Sequence, residues 1–162
     1  MANTQDIPGE EWFGDLKFRD LSEEAVLNVI RTYSVLAQQF ARHFGGFDLT
    51  APKYNTLSIL RATDGKGLEL NEIGDRLVVS RPNITGIVDR LERDGLAYRD
   101  SDPTDRRKKV AKISEKGLML LQEVRKTHYQ AIDKMAEGLS DEEKQQLVYL
   151  LTKLRRGRQN SK

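Results

Sequence analysis

VSRPNITGIVDRLERDGLAYRDSDPTDRRKKVAKISEKG, residues 79–117, predicts a short helix with a polar, basic start, followed by two strand-like segments around an Arg/Lys-rich loop. Ser80 opens the helix, Ile84, Ile87 or Val88, and Leu91 form its buried face, and Asp94-Gly95 ends it. Leu96–Arg99 and Lys109–Ile113 alternate like the arms of a hairpin, with a polar loop from Asp100 to Lys108 between them. Such a shape can set one helix and one basic loop against a nucleic acid. Phosphate neutralisation would then supply much of the affinity, and base-edge contacts the sequence preference.

Outward from this stretch the chain reads as helical. Ile73 and Leu77 mark a brief helix ending near Val78-Val79. Two short helices joined by a tight turn, the second with a polar outer face, are a helix-turn-helix pattern. Thr50 predicts an N-cap, with Pro52 in the first turn and Tyr54, Leu57 and Leu60 or Ile59 facing inward. Asp64-Gly65-Lys66-Gly67 is a turn, and Leu68 and Leu70 make a very short strand. Further upstream Ser22 is the expected N-cap of a helix, with Leu21 and Val26 as a hydrophobic staple. Val26, Ile30, Tyr33, Ala37, Phe40 and Phe44 then recur every three or four residues as one apolar stripe, which Gly45-Gly46 stops.

Downstream, Ser114 caps a long helix carrying Leu118, Leu121, Val124, Ile132 and Met135, which Gly138 breaks. Ser140 with Glu143 predicts a capping box for a last helix bearing Leu147, Leu150, Leu151 and Leu154. The chain ends are polar. Residues 1–20 carry one apolar cluster, Trp12, Phe13, Leu16 and Phe18, and read as an arm or short helix. Arg155 to Lys162 reads as a basic, frayed tail.

A length of 162 residues allows one compact domain, or a small domain with an assembly module. With 38% hydrophobic and 32% charged residues the core is modest, which suits helices that bury their remaining apolar faces against a partner subunit. The expected division is an arm at 1–20, a helical dimerisation region at 21–50 and 115–157, a DNA-binding region at 51–114 and a basic tail at 158–162. The net charge of +2 says little, but Arg76 to Lys112 holds ten Lys/Arg against six Asp/Glu, a local excess of four positive charges. The absence of cysteine excludes disulfides, thiolate metal sites and thiol redox sensing. There is no basic-then-apolar leader, and no apolar run approaches the ~20 residues a membrane helix needs. A soluble, cytoplasmic protein with no membrane partner and no cofactor is expected.

In a helix-turn-helix the second helix enters the major groove and its first turns reach base edges. Ser80, Arg81, Asn83 and Thr85 occupy those turns here. Ser80 can cap the helix and bond a phosphate, Arg81 suits guanine or a phosphate, Asn83 suits adenine, and Thr85 offers a hydroxyl and a methyl group. The free N–H groups of the helix start favour anions in any case. Arg90, two turns on, is better placed for the DNA backbone or for an ion pair with Asp89 or Asp94. At the hairpin tip Arg106, Arg107, Lys108 and Lys109 are consecutive cations where side chains project furthest. Arginine there is attracted into a narrow minor groove, and Asp105 could hold the backbone or Arg107 in a fixed orientation.

The series ELNEIGDRL, SRPNITGIVDRLERDGL, DPTDRR and ISEKG resembles the MarR family of winged helix-turn-helix transcription regulators, over roughly residues 21 to 157. The resemblance implies a mainly α fold with a small β-hairpin wing, a winged helix-turn-helix domain between N- and C-terminal dimerisation helices. It implies a homodimer reading palindromic double-stranded DNA, more often as a repressor, and a small anionic or phenolic effector between the modules. Arg107 matches the family's wing arginine and Asp105 the acid beside it. The peroxide-sensing branch needs a cysteine that is absent, and the urate-responsive branch an acid–arginine pair where this chain has Asn55 and Ile87, although Trp12 is similar to a feature of that branch. Tyr33, His43 and Tyr54 lie near the inter-module cleft, but core packing explains the tyrosines equally well, and effector residues stay unassigned.

Two other readings compete. An architectural DNA-binding protein without strong sequence preference would share the basic helix and loop. An enzyme would need a catalytic constellation, yet His43 and His128 lie far apart in sequence, outside any metal-ligand spacing, and read as ordinary, partly exposed helix residues. Gly65 and Gly67 are turn glycines rather than a phosphate loop.

Overall fold

A computed structural model of the chain describes residues 18–77, 80–102 and 108–157, except the side chain of Arg81. Six helices and one hairpin follow in order: α1 (Leu21–Gly45), α2 (Ala51–Arg61), α3 (Leu70–Leu77), α4 (Arg81–Arg93), β1 (Ala97–Ser101), β2 (Lys109–Ile113), α5 (Glu115–Met135) and α6 (Asp141–Gly157). The chain falls into two compact units, Met1–Gln38 and Gln39–Lys162, and α1 passes from one into the other. The apolar cluster expected at Trp12, Phe13 and Leu16, and the end of α3 near Val78-Val79, lie outside the described residues.

In the first unit α1 is capped by Asp20, not Ser22. Its Oδ1 accepts from the backbone N–H groups of Ser22 and Glu23, both at 2.9 Å. A carboxylate at a helix start meets free N–H groups and the positive end of the dipole together, so it outcompetes a hydroxyl two residues on. The staple does not form as a buried contact, because Leu21 and Val26 are both exposed. Ile30 and Tyr33, the next members of the stripe, are exposed as well.

The second unit holds the core. Phe44, Leu57, Leu60, Ile73, Ile84, Val88, Leu91, Leu121 and Val124 are almost completely shielded from water. Helix α2 packs on α3, α4, α5 and β2, and α3 packs on α4. Helix α1 stops at Gly45-Gly46 as expected, though not through a left-handed glycine. Gly45 is helical, neither glycine has a positive φ, and the left-handed turn residue is Asp48 at φ 53°. The N–H groups of Phe47 and Leu49 both return to the Phe44 carbonyl there, at 3.0 and 3.1 Å.

Thr50 caps α2 as expected, accepting from Lys53 N at 3.4 Å. Leu68 pairs with Ala111 in a single antiparallel bridge, whereas Leu70 begins α3 rather than extending a strand. The hairpin is longer than its alternation predicts: β1 continues through Asp100 and Ser101, paired with Val110 and Lys109. Cross-strand bonds hold this extension, Lys112 Nζ to Asp100 Oδ2 and Lys109 Nζ to Ser101 Oγ, each 2.9 Å. The Lys112 ammonium lowers the Asp100 carboxyl pKa, and the carboxylate raises that of Lys112.

Ser114 caps α5 by accepting from Gly117 N (3.0 Å) while its own hydroxyl donates to the Gly95 carbonyl (2.7 Å). Within α6 the Ser140–Glu143 capping box forms in both directions. The helix continues through Arg155 and Arg156, where fraying was expected, and buries none of its residues. Of the two histidines, His43 is partly exposed as expected, but His128 is not. His128 is only 8% exposed and stacks against His43, ring centroids 5.5 Å apart.

Gly117 fixes how α5 leaves the hairpin. A Cβ there would overlap the Leu96 carbonyl oxygen and lie 2.9 Å from Cγ1 of Ile113. Gly117→Ala should therefore lower the unfolding free energy by ~1–3 kcal/mol in urea, the range for overpacking a tight site. An unchanged midpoint would show that the strand and helix can part freely.

Candidate nucleic-acid interface

Helix α4 is amphipathic because its sequence repeats at helical spacing. Ile84, Ile87, Val88 and Leu91 point into the core and all four are buried. Pro82, Thr85, Gly86, Asp89 and Arg93 therefore lie on the opposite edge, with Asn83 and Arg90 flanking it. The helix start carries no acidic residue, so its free N–H groups keep their attraction for phosphate. At its end Gly95, with φ 72°, lets Leu96 N–H turn back to the Leu91 carbonyl at 2.8 Å.

Ser80 has the extended backbone of an N-cap, and its carbonyl accepts from Ile84 N at 3.1 Å. Its hydroxyl makes no capping hydrogen bond, contrary to the sequence expectation. Asn83 is exposed and Thr85 half-buried. Asn83 and Arg90 share a shallow groove with Thr50, Pro52, Pro82, Gly86 and Ile87, where the start of α2 meets α4. Nothing but the bare Gly86 separates them, and an ideal Cβ on Gly86 would lie 3.6 Å from the Arg90 guanidinium.

Of the two roles open to Arg90, the DNA backbone or an ion pair with Asp89 or Asp94, the ion pair does not form, and both acids are held by other cations. Asp94 binds Lys53 at 2.6 Å, which ties the start of α2 to the end of α4 and lowers the Asp94 pKa. Asp89 binds Arg99 of β1 at 2.7 Å. Arg99 also pairs with Glu92, and its backbone N–H donates to the same carboxylate at 2.7 Å. One arginine thus joins the first hairpin strand to two acids one turn apart on α4. It also neutralises Asp89, whose charge on the outward edge would otherwise repel phosphate.

Sequence reasoning missed Arg99, Asp89 and Glu92 as a unit. The available signal was weak: acids three residues apart on a helix, followed by one strand cation. Lys108, expected at the DNA, is exposed and pairs with Glu69 just before α3 at 2.8 Å. Asp105, Arg106 and Arg107, together with the Arg81 side chain, lie outside the described residues. Asn55 is exposed and Ile87 buried. Of the residues near the expected cleft, Tyr54 is in the core, while Tyr33 is largely exposed and is not explained by core packing. Among the described residues no cluster of His, Asp or Glu could hold a metal, and no helix is long and apolar enough to cross a membrane.

A family model described as the MarR family matches residues 49–109, which span α2 to the start of β2. The HTH-type transcriptional regulator MhqR of Bacillus subtilis (strain 168) is 32% identical over 124 residues, covering 76% of this chain and 84% of that protein. The S. aureus MepR–DNA complex superposes with a TM-score of 0.71 at 25% identity, over 83% of this chain and 94% of that one. Bordetella bronchiseptica BpsR, solved to explain regulation of its DNA binding by 6-hydroxynicotinic acid, gives a TM-score of 0.75 at 25% identity, over 85% and 97% of the two chains.

Arg99→Ala should release the hairpin from α4 while leaving the core intact. Duplex affinity should fall several-fold and lose steepness against salt, with ~1 kcal/mol or less lost from stability because the pair is partly exposed. Equal affinity and salt slope for the variant and the parent protein would show that the wing needs no such anchor.

Proposed function

This chain belongs to the MarR family of DNA-binding transcriptional regulators and is not an enzyme, and on that premise we propose that it holds a palindromic operator as a homodimer and represses transcription in the cytoplasm. The observation that carries this reading is the polar outer edge of α4, locked through Arg99 to the hairpin beside it. Ser80, Arg81, Asn83 and Thr85 enter the major groove, and Arg90 contacts the backbone alongside. Asp105, Arg106, Arg107 and Lys108 form the wing, with Arg107 reaching the minor groove. Lys108 exchanges its exposed pairing with Glu69 for a phosphate at little cost.

Residues 51–114 make the DNA-binding region, and 21–50 with 115–157 the dimerisation region. Helix α6 supports pairing with a second copy. Leu147, Val148, Tyr149, Leu150 and Leu154 are exposed along it, a patch that a monomer rarely leaves open. Its first turn holds Asp141, Glu142 and Glu143 and its last Arg155 and Arg156, so two antiparallel copies set opposite charges side by side. Recognition helices in such a dimer lie about one DNA turn apart, ~34–36 Å. By analogy with BpsR, a small anionic or phenolic effector weakens the complex.

Competition separates this reading from an architectural role. The duplex that the protein selects from its genome should be held against unrelated DNA by a factor of ~10³ or more. Arg107→Ala should weaken binding strongly, most where the minor groove is narrow and A·T-rich, while Lys162→Ala should change little. Asn83→Ala should relax preference at particular base pairs by ~1–3 kcal/mol. Identical behaviour of the Arg107 and Lys162 variants would sink the wing assignment. Sedimentation at micromolar concentration should give a dimer, and a monomer there would contradict the pairing of α6.

A further inference from the structure

One buried cluster lies away from the DNA-facing edge. His128 of α5 sits among rings from two other helices: Tyr54 of α2 at 4.6 Å between centroids, and Phe44, His43 and Phe40 of α1 at 5.4, 5.5 and 5.9 Å. The two imidazoles stack with their planes 30° apart. Nδ1 of His128 and Nε2 of His43 are both buried without a hydrogen-bond partner. A neutral imidazole packs there as an aromatic disk, but an imidazolium carries two N–H donors and needs acceptors.

We propose that the stacked His43–His128 pair is a proton-operated latch. Neutral rings clamp α1, α2 and α5 together, and a proton on His128 loosens that junction and with it the grip on DNA.

The surroundings all oppose the charged form. The titratable and charged groups facing His128 are His43 on α1, Tyr54 on α2, and Arg125 and Tyr129 on α5. Arg125 donates to the Tyr129 hydroxyl at 2.7 Å and lies over its ring. Among the described residues no carboxylate acts on His128. Burial first, then the His43 and Arg125 charges, hold its pKa below the ordinary 6.5. Aromatic faces offer a cation some compensation, but burial is the largest influence and works against it. The route to DNA is short, because α2 carries both Tyr54 and Lys53, and Lys53 holds Asp94 at the end of α4.

The sign follows from the lowered pKa. Below pH 6.5 the unfolded chain binds the proton more tightly than the fold does. The stabilisation is complete above that pH and is lost as the pH falls through the folded pKa.

The full chain at fixed concentration tests the latch by thermal unfolding between pH 5.0 and 8.0. The parent protein should lose ~3–5 °C per pH unit below 6.5 beyond any loss in His128→Phe, which keeps the ring and removes the proton site. Parallel curves would overturn the proposal. Should that variant fail to fold, His128→Leu replaces it in the same series. NMR of the parent protein needs no variant: His128 should titrate below 6.5 and the Tyr54 ring should shift with the same midpoint. Titration at or above 6.5 with Tyr54 unmoved would refute the latch. With the genome-selected duplex at constant ionic strength, the parent's affinity should fall about tenfold more than the variant's between pH 7.5 and 5.5. Equal falls would remove the regulatory role, while operator binding measured at pH 7.5 stands or falls separately.

Discussion

The thirteen residues of α4 have to bury one edge and leave the other open, and much of the structure serves that division. Ile84, Val88 and Leu91 are sealed from water within the core to which α2 and α3 contribute. Each buried aliphatic side chain is worth about 1.5–3 kcal/mol, far more than any surface contact of the same helix. The helix cannot roll without exposing that edge. Pro82, Asn83, Thr85, Gly86 and Asp89 are therefore presented outward by the core, whatever their own preferences.

Charge then refines what packing has aimed. Lys53–Asp94 pins α4 to α2, and Arg99 pins the hairpin to α4. These pairs are partly exposed, so they contribute little to stability. Their use is directional. They hold a helix and a hairpin in one relative orientation before any ligand arrives, which limits the entropy lost on binding. They also cancel two acidic charges on the helix meant to face phosphate.

The core is concentrated in the middle of the chain. Helix α6 buries nothing, and the early part of α1 leaves Val26, Ile30 and Tyr33 exposed. A chain with 38% hydrophobic residues that places its buried side chains on α2 to α5, the hairpin and the end of α1 leaves apolar surface exposed on α6 and the early part of α1. Where the end of α1, α2 and α5 meet, His128 is buried against His43 with no hydrogen-bond partner for its Nδ1.

Residue periodicity alone determined the helix-turn-helix, the buried edge of α4, the hairpin and the caps at Thr50, Ser114 and Ser140, because each depends on neighbours within a few positions. The family resemblance rested on the same local runs. What depends on distant neighbours was decided only in three dimensions. Asp20 took the cap from Ser22 because a carboxylate meets the helix dipole better than a hydroxyl does. Helix α1 ended at Gly45-Gly46 as its sequence reads, but the left-handed turn residue was Asp48, where the Phe47 and Leu49 N–H groups return to the Phe44 carbonyl. Asp89 and Asp94, offered by the sequence as one choice of partner for Arg90, were taken instead by Arg99 and Lys53 from other elements. His128, an ordinary partly exposed helix residue by spacing, was buried against the half-buried His43 because packing brought the end of α1 and α5 together, and no local pattern encodes such a meeting.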